Sequence, residues 1–475
     1  MYFYNENFII STLNIESKDI ENCEIIVIDN TVHFKVTLKN THPTCPICGG
    51  DTQVKDYHLK TYHHLPVTTL SCDIDWNRRR FVCKDCGRSF SEHNPFGLER
   101  YHYTYAVLSE ILLDLSNVNI TFEYIAKKRN ISKTIVQLYF DSFVIVPRIS
   151  LPEYLGIDEI RSDMAKYGGK YLCVFVDNKN RCLNEILPNR SKNTLVKHFE
   201  SIPLQERERV KFVTMDMWDT YREVSKRFLP NARICADNFH VVKNLTDGFS
   251  RIRIDLMNSA PKDSAKYYLL KKWHWLLESD INLDNQPKYN GYFKQKLNYR
   301  ELYDMLLDIN PALTLAYQLK EEYRRFNRNA TISDAEETLN KIISDFEGAD
   351  LYCYRDFVGI LHNWKQEIIN SFYRDENDRK QSNALAENIN GQIRTIINAA
   401  NGYSNFDRFR ARCLYCLNKS IFYALSDSVK SYKREGKSRG KYNKNKPVLT
   451  NDHSYEDLLN QDTKSDLEDD DDNED

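Results

Sequence analysis

Hydrophobic and polar residues follow strand-like patterns in two parts of the chain. Near the N-terminus, CEIIVID and VHFKVTL alternate apolar and polar residues, which predicts a small β hairpin within residues 1–40. In the middle, both alternating sets are apolar over residues 171–176, as in a strand buried on both faces. The predicted central strands are KYLCVFVD (170–177), RCLNEILP (181–188), VKFVTMD (210–216) and ARICAD (232–237).

Helical patterns lie on either side of these strands. Residues from about 100 to 148 have helical periodicity, and the charged and aromatic segments from 241 to 380 contain few strand signals. This order predicts a multidomain α/β protein whose mixed sheet is interrupted by an all-helical insertion.

Composition adds a charge pattern. The 475 residues suggest roughly three domains, and the net charge is −2. The last ten residues, however, carry eight acids and no base, so the rest of the chain is basic overall, which suits a nucleic-acid partner. Residues 426–475 are expected to form a disordered tail, first basic and then acidic, because they contain too few apolar residues to fold.

The sequence gives no sign of a membrane span or an export signal. No stretch approaches roughly 18 uncharged apolar residues, and MYFYNENFII lacks the basic start of a signal peptide. A cytoplasmic protein is therefore expected, in which the twelve cysteines are thiols or metal ligands rather than disulfides.

Two CxxC pairs predict a structural zinc site. Both pairs are followed directly by glycine, which permits a tight turn of backbone amides toward the thiolates; the ligands would be Cys45, Cys48, Cys83 and Cys86. Four thiolates complete a tetrahedral Zn²⁺ site and leave no open position for catalysis. Basic residues near the second pair are candidates for phosphate contacts, although they also suit an ordinary solvated face: Arg78, Arg79, Arg80 and Arg88.

Residues 122–143 predict a helix, a short turn and a second helix. Asn130 permits the turn, and Ser132 can cap the second helix. The predicted buried positions are Phe122, Ile125 and Ala126 in the first helix and Ile135, Leu138 and Tyr139 in the second. Lys133, Thr134 and Gln137 would then project toward a DNA major groove, although short helix pairs also occur in many proteins that bind no DNA.

Three acidic residues are candidates for a two-metal site. Asp158 in LGIDEI and Asp216 in VTMDMW follow strand-like runs, and Glu387 in SNALAENINGQIR lies on a polar helix face with Asn390 and Arg394. If the strands form a ribonuclease-H-like sheet, the first and fourth strands are neighbours and the two aspartates meet. That polar face suits a metal at Glu387 and DNA-phosphate contacts at Asn390 and Arg394, whereas the ordinary alternative is that Glu387 is a solvated acid.

The motifs together resemble the ISL-three family of insertion-sequence transposases. The resemblance covers roughly residues 40 to 420 and rests on the CPICG and CKDCGRSF knuckles, the helix pair, LGIDEI, GGKYLCVFVD, VTMDMWDTY, PNARICADNFHVVKNL, KKWHWLL and SNALAENINGQIRTIINAANGYSNFDRFRAR. It implies a zinc-ribbon, a helix-turn-helix and a ribonuclease-H-like DDE domain whose acids fall on Asp158, Asp216 and Glu387. In the same characteristic stretch, Asp237 is a candidate fourth site acid, with a helix N-cap as the alternative. His240 and Lys243, one helical turn apart, are candidate DNA contacts, with ordinary packing as the alternative.

The expected function follows from that resemblance. It is a cytoplasmic, nucleoid-associated bacterial transposase that acts on terminal inverted repeats and target DNA. The expected cofactors are two Mg²⁺ (or Mn²⁺) ions and a structural Zn²⁺, and the expected assembly is a homodimer or larger. The alternatives are a zinc-dependent DNA-binding regulator without catalysis and a ribonuclease-H-like nuclease or resolvase. The predicted domains are an N-terminal β segment (1–40), the zinc-ribbon (41–98), the helix-turn-helix (99–148), the DDE domain (151–425, with its insertion at about 250–378) and the tail (426–475).

Overall fold

A computed structural model describes residues 6–162, 170–376 and 378–425, and the predicted tail lies outside these ranges. Contacts divide the described residues into two compact units. The first contains residues up to 147 together with residues 395–425, and the second contains residues 148–394. No helix in the described ranges is both long and apolar enough to cross a membrane.

The first unit begins with a helix and a five-stranded sheet. Its elements are α1 (Glu6–Leu13), β1 (Ile20–Ile28), β2 (Thr31–Leu38), β3 (Thr52–Val67), β4 (Leu70–Cys83) and β5 (Ser89–Ser91). The strand order is β1-β2-β4-β3, with β5 paired to β4. β1 and β2 form the predicted antiparallel hairpin, and β2 also pairs in parallel with β4. The N-terminal β segment and the cysteine segment therefore share one sheet, with Phe34, Tyr62 and Trp76 fully buried in its core.

Three helices and a short strand follow: α2 (Tyr105–Asp114), α3 (Phe122–Arg129), α4 (Lys133–Phe143) and β6 (Val144–Ile145). The predicted turn is confirmed, because Asn130 has a left-handed φ of 52° and the Ser132 side chain accepts a hydrogen bond from the Ile135 amide. The buried face predicted for α4 is wrong in part. Ile135 and Leu138 are 38% and 49% exposed, and the buried residues are Val136, Tyr139, Phe140 and Phe143. Of two overlapping apolar stripes, the helix buries the one with the larger aromatic area.

The second unit contains a mixed five-stranded sheet. Its strands are β7 (Tyr154–Arg161), β8 (Tyr171–Asp177), β9 (Cys182–Leu187), β10 (Phe212–Met215) and β11 (Arg233–Ala236), and its first helices are α5 (Lys192–Glu200), α6 (Leu204–Arg207) and α7 (Asp219–Phe228). The order is β11-β10-β7-β8-β9, in which β7, β8 and β9 are antiparallel and β7, β10 and β11 are parallel. Each predicted central strand forms, and the predicted pairing of the first strand with the fourth is confirmed.

The segment after β11 is mostly helical. It contains α8 (Asn238–Asn258), α9 (Ala265–Lys272), β12 (Lys288–Asn290), β13 (Gln295–Leu297), α10 (Tyr299–Leu307), α11 (Pro311–Asn329), α12 (Ala335–Ala349), α13 (Arg355–Asn363) and α14 (Lys365–Asn370). The prediction of an all-helical insertion is wrong at β12 and β13, which pair as a hairpin. Each strand has three residues, and a polar run of that length gives no detectable period of two.

The last described elements are α15 (Ala384–Ala399), α16 (Phe406–Leu417) and β14 (Phe422–Tyr423). Within the first unit, β14 pairs with β6, and the buried Arg412 guanidinium donates to the carbonyls of Asn117 and Ile120. A buried arginine requires such partners, because an unpaired charge in the interior is costly. Residues 395–425 therefore belong to the first unit, together with the helices of residues 105–143. From the sequence, they were predicted to form the end of the catalytic domain.

Candidate active site and zinc cluster

Two aspartates meet at one position of the central sheet. Ile157 of β7 and Met215 of β10 are partners in the parallel ladder, so the residues that follow them, Asp158 and Asp216, come together. Oxygens of Asp158, Glu159 and Asp216 all lie within 4.8 Å of one another. The strand patterns predicted this meeting of the two aspartates, and the geometry confirms it.

Asp216 also belongs to a second group of possible metal ligands. It lies with Asp237, which follows β11, and with His240 in the first turn of α8. His240 Nδ1 is 3.0 Å from Asp216 Oδ1 and 3.1 Å from Asp237 Oδ2. Asp216 is therefore shared by the two groups.

Asp237 stands at the N-cap position of α8, but its side chain does not cap that helix. It is 3% exposed, and its Oδ1 accepts a hydrogen bond from the Asn383 amide at 3.2 Å. Of the two roles considered from the sequence, the structure thus places Asp237 beside the other acids rather than in a capping interaction.

The electrostatics reflect a concentration of buried negative charge. Burial and the neighbouring Asp216 carboxylate raise the pKa of Asp158 to about 7. Contacts with Asp216 and Asp237 raise the pKa of His240 to about 10. His240 is therefore a cation near neutral pH, and its single positive charge only partly balances the surrounding acids.

Two asparagines from the polar side of the α15 segment hold this arrangement. Asn390 of α15 is 2% exposed, and its Nδ2 donates to Asp158 Oδ2 at 2.9 Å and to the Glu159 carbonyl at 3.2 Å. Asn383, two helical turns earlier, donates to the Ile157 carbonyl at 3.0 Å. The prediction that Asn390 contacts DNA is corrected, because its side chain is buried against Asp158. The seven-residue spacing of Asn383 and Asn390, about two helical turns, is the sequence feature that could have predicted that both side chains point toward the same neighbours.

Glu387 lies on the same helix but outside both acid groups. Its side chain is exposed and precedes Asn390 by three residues, so the two share a face of α15. Among the described residues, the clusters with metal-ligand spacing contain Asp158, Glu159, Asp216, Asp237 and His240, but not Glu387. The structure brings together two of the three predicted acids.

The donor set fits a hard divalent cation. Asn390 Oδ1 is buried and has no hydrogen-bond donor among the described residues, whereas the buried Asp216 Oδ1 has His240 Nδ1 as its partner at 3.0 Å. Carboxylate and amide oxygens are the ligands that Mg²⁺ and Mn²⁺ favour, and a buried acceptor without a partner is costly. The acidic oxygens and the unpartnered amide oxygen of Asn390 therefore fit a divalent cation.

The four predicted cysteines form a cluster in the first unit. Their sulfurs lie within 4.8 Å of one another, with Cys45 Sγ 3.8 Å from Cys86 Sγ and Cys48 Sγ 3.5 Å from Cys83 Sγ. Gly49 and Gly87 have φ of 76° and 68°, which permits the tight turn after each pair. Backbone amides of Cys48 and Ile47 lower the pKa of the Cys45 thiol to about 7, whereas the neighbouring sulfurs of Cys83 and Cys86 raise the pKa of the Cys48 thiol to about 12.

Comparison with known proteins identifies the family. A model of the ISL3 transposase DDE domain, described as "Transposase", matches residues 155–413, which is more than half of the chain. The chain belongs to the ISL-three transposase family. A second model, described as the zinc-finger of transposase IS204/IS1001/IS1096/IS1165, matches residues 41–86 and covers all four clustered cysteines. The family is one of DNA-processing enzymes, and its zinc-finger supports a structural Zn²⁺ at the cysteines.

Two curated relatives agree with that assignment. The chain is 27% identical over 385 residues to the transposase for insertion sequence element IS1001 of Bordetella parapertussis, covering 80% of this chain and 89% of the relative. It is 28% identical over 132 residues to the transposase for insertion sequence element IS1557 of Mycobacterium tuberculosis, covering 28% of this chain and 29% of the relative.

The arginines near the second cysteine pair differ in accessibility. Arg79 is 2% exposed and pairs with Glu21 and Glu92, which corrects its assignment as a phosphate contact. Successive strand residues point to opposite faces, so one arginine of a consecutive run is directed inward. Arg78 pairs with Glu99 and Arg80 with Asp56, whereas Arg88 is exposed.

The remaining predicted contacts lie at the surface. Lys133 and Thr134 are exposed at the start of α4, and Gln137 is half-buried one turn later. Lys243 of α8 and Arg394 of α15 are exposed in the second unit. These side chains are accessible to a nucleic acid, with Gln137 the least so.

Asn390 gives the first test of this geometry. Asn390→Ala removes the donor to Asp158 and should lower the rate of DNA strand cleavage by about 10- to 100-fold, the effect expected for a hydrogen bond to a charged group. The Mg²⁺ concentration for half-maximal cleavage should rise, while DNA affinity stays the same. Asn388→Ala, on the exposed face of the same helix, is the matched control. Equal kinetics for both variants would assign Asn390 to packing alone.

Proposed function

We propose that the chain is a DDE transposase that binds the terminal inverted repeats of an insertion sequence, cuts DNA strands and joins the exposed 3′ hydroxyl to target DNA. The observation that carries the proposal is the meeting of Asp158 and Asp216 beside Asn390, whose buried Oδ1 has no donor among the described residues. Family membership supports the same function.

The second unit supports a ribonuclease-H-like interpretation of the catalytic domain. Its first three strands are antiparallel neighbours, and the fourth and fifth add in parallel beside the first. In this order the first and fourth strands carry the aspartates, and α15 supplies residues from a distant part of the sequence. We retain the predicted domains as proposals: 1–40, 41–98, 99–148, 151–425 with its insertion, and 426–475.

The proposed catalytic acids are Asp158, Asp216 and Glu387. Together they would hold two Mg²⁺ (or Mn²⁺) ions, which supply activation of the attacking hydroxyl and stabilisation of the departing oxygen. Asn390 holds Asp158 through Oδ2, and the Asn383 amide holds Asp237. His240 balances charge between Asp216 and Asp237. Glu387 is proposed as the third acid from the family resemblance and its position one turn before Asn390.

DNA recognition is assigned to the first unit. The zinc-ribbon and the α3–α4 pair, interpreted as a helix-turn-helix, would bind the inverted repeats. The proposed contacts to DNA in this unit are Arg78, Arg80, Arg88, Lys133, Thr134 and Gln137. In the second unit they are Lys243 of α8 and Arg394 of α15, the helix that also carries Glu387. Transposition requires the two element ends to be held together in one complex, so we propose a homodimer or larger assembly. It would act on bacterial nucleoid DNA in the cytoplasm.

Gln137 tests the recognition helix. Gln137→Ala should change the preference among end sequences more than it weakens nonspecific binding, because base-edge contacts carry specificity. Lys133→Ala, in contrast, should weaken binding to all sequences and reduce the slope of log affinity against log salt by about one. Competition binding with randomised end duplexes measures both. A uniform loss for Gln137→Ala would make it a scaffold residue.

One assay separates the three candidate functions. Purified protein is mixed with a duplex bearing the inverted repeat that borders the gene, a target plasmid and Mg²⁺. A transposase should release a 3′ hydroxyl and join it to the plasmid. Cleavage without joining would indicate a nuclease or resolvase, and binding without cleavage would indicate a regulator.

A further inference from the structure

A guanidinium lies beside the two aspartates. Arg190, in the turn between β9 and α5, donates from Nη1 to Glu159 Oε1 at 2.8 Å. An oxygen of the same Glu159 carboxylate lies within 4.8 Å of ligand oxygens of Asp158 and Asp216. One ion pair therefore separates Arg190 from the proposed catalytic acids.

Two aromatic rings fix the Arg190 guanidinium. Its Cζ lies 4.4 Å from the centroid of Tyr171 and 4.6 Å from the centroid of Trp218, which follows Asp216 by two residues. Trp218 in turn contacts Tyr221 edge-on at 4.6 Å. Stacking on two aromatic faces holds the planar group in one orientation and reduces the entropy lost when it binds a ligand.

The guanidinium retains hydrogen-bonding capacity. It has five N–H donors, and within the described ranges its hydrogen bond uses Nη1. A third of the side chain (33%) is exposed. Glu159, in contrast, has both oxygens engaged, since the Tyr221 hydroxyl donates to Oε2 at 3.3 Å. Glu159 thus serves to tether Arg190, and the free donors of Arg190 are the part of this cluster that can bind an anion.

We propose that Arg190 binds the DNA phosphate next to the scissile phosphodiester and so places the strand against Asp158 and Asp216. The inference rests on the proposed function. The planar fork of a guanidinium matches two phosphate oxygens, and a fixed, partly exposed fork beside the acids suits one particular phosphate rather than general attraction. Lys192 offers a contrast two residues away, because it is 62% exposed, pairs with Glu223 and contacts no aromatic ring among the described residues.

The test uses inverted-repeat duplexes that each carry one neutral methylphosphonate at successive positions around the cleaved bond. Single-turnover cleavage by the full chain should fall about 10- to 100-fold at one position next to the cleavage site, as expected when a charge-assisted hydrogen bond is lost. Arg190→Ala should lose a similar factor on unmodified DNA and show no further loss at that position. Arg190→Lys, which keeps the charge but not the fork, should be intermediate.

Lys192→Ala is the control. Because Lys192 is not expected to contact that phosphate, the fold-loss in cleavage rate caused by Lys192→Ala should multiply with the fold-loss caused by the methylphosphonate at every position. The same multiplication for both arginine variants would overturn the proposal, as would a wild-type scan without a sensitive position. Thermal unfolding identifies a variant that does not fold, and either arginine variant suffices for the comparison. Asp158→Asn tests the proposed function separately. If the Asp158→Asn variant cuts DNA at the wild-type rate, the proposed function is refuted. If that variant is inactive but the effects of the Arg190 substitutions and of the methylphosphonate multiply, only the phosphate contact of Arg190 is refuted.

Discussion

Replacing Asp158 with asparagine should lower DNA strand cleavage by about 10³-fold or more while end binding is retained. The buried Asp158 carboxylate is a proposed metal ligand, and an amide keeps its volume but removes its charge. A loss of several kcal/mol of metal-dependent stabilisation corresponds to a factor of this size. Asp216→Asn should have the same effect, because Asp216 belongs to both ligand groups. Cleavage of an end-labelled inverted-repeat duplex measures the rate.

Asp219→Asn is the matched control for these variants. Asp219 lies three residues after Asp216, is 64% exposed and pairs with Arg222 at the surface. Its substitution should leave cleavage near the wild-type rate. Glu387→Gln decides the role of the third acid: a block equal to that of Asp158→Asn supports its proposed place at the metals, and wild-type cleavage removes it from the catalytic set.

Removal of zinc should disorder the two CxxC turns and abolish specific end binding. The purified chain should contain about one Zn²⁺, and Cys48→Ser should lose it, because three thiolates no longer complete the tetrahedral site. Structural zinc sites contribute about 10–16 kcal/mol in isolated zinc-finger peptides, and here the ion would be the link between the two CxxC turns. Metal analysis by mass spectrometry and binding to the inverted repeat measure the two effects.

Cys23→Ser provides the comparison for zinc. Cys23 lies in β1 of the same sheet but outside the cysteine cluster, so both zinc content and end binding should remain normal. A zinc-free preparation that still binds the inverted repeat with full affinity would contradict the structural role of the ion.

Local patterns were sufficient where the cause is local. The four cysteine ligands follow from paired spacing and the glycines behind each pair, and the cluster forms as predicted. The strands of the central sheet follow from apolar runs, and the turn at Asn130 follows from its tolerance of left-handed backbone. Even the meeting of Asp158 with Asp216 could be predicted once a ribonuclease-H-like strand order was assumed, because that order makes their strands neighbours.

Tertiary structure decided what depends on distant partners. Asn390 holds Asp158 across 232 positions of sequence, and Asp237 accepts from an amide 146 positions away. The sequence-based prediction was wrong for part of the buried stripe of α4 and for Arg79, which points inward to Glu92. A single chain shows which residues are polar or apolar and at what period, but burial and pairing depend on elements that become neighbours only when the chain folds. For this protein, the sequence by itself determined the metal-binding residue types and the order of elements, while the contacts that orient Asp158 and Arg190 were decided by packing.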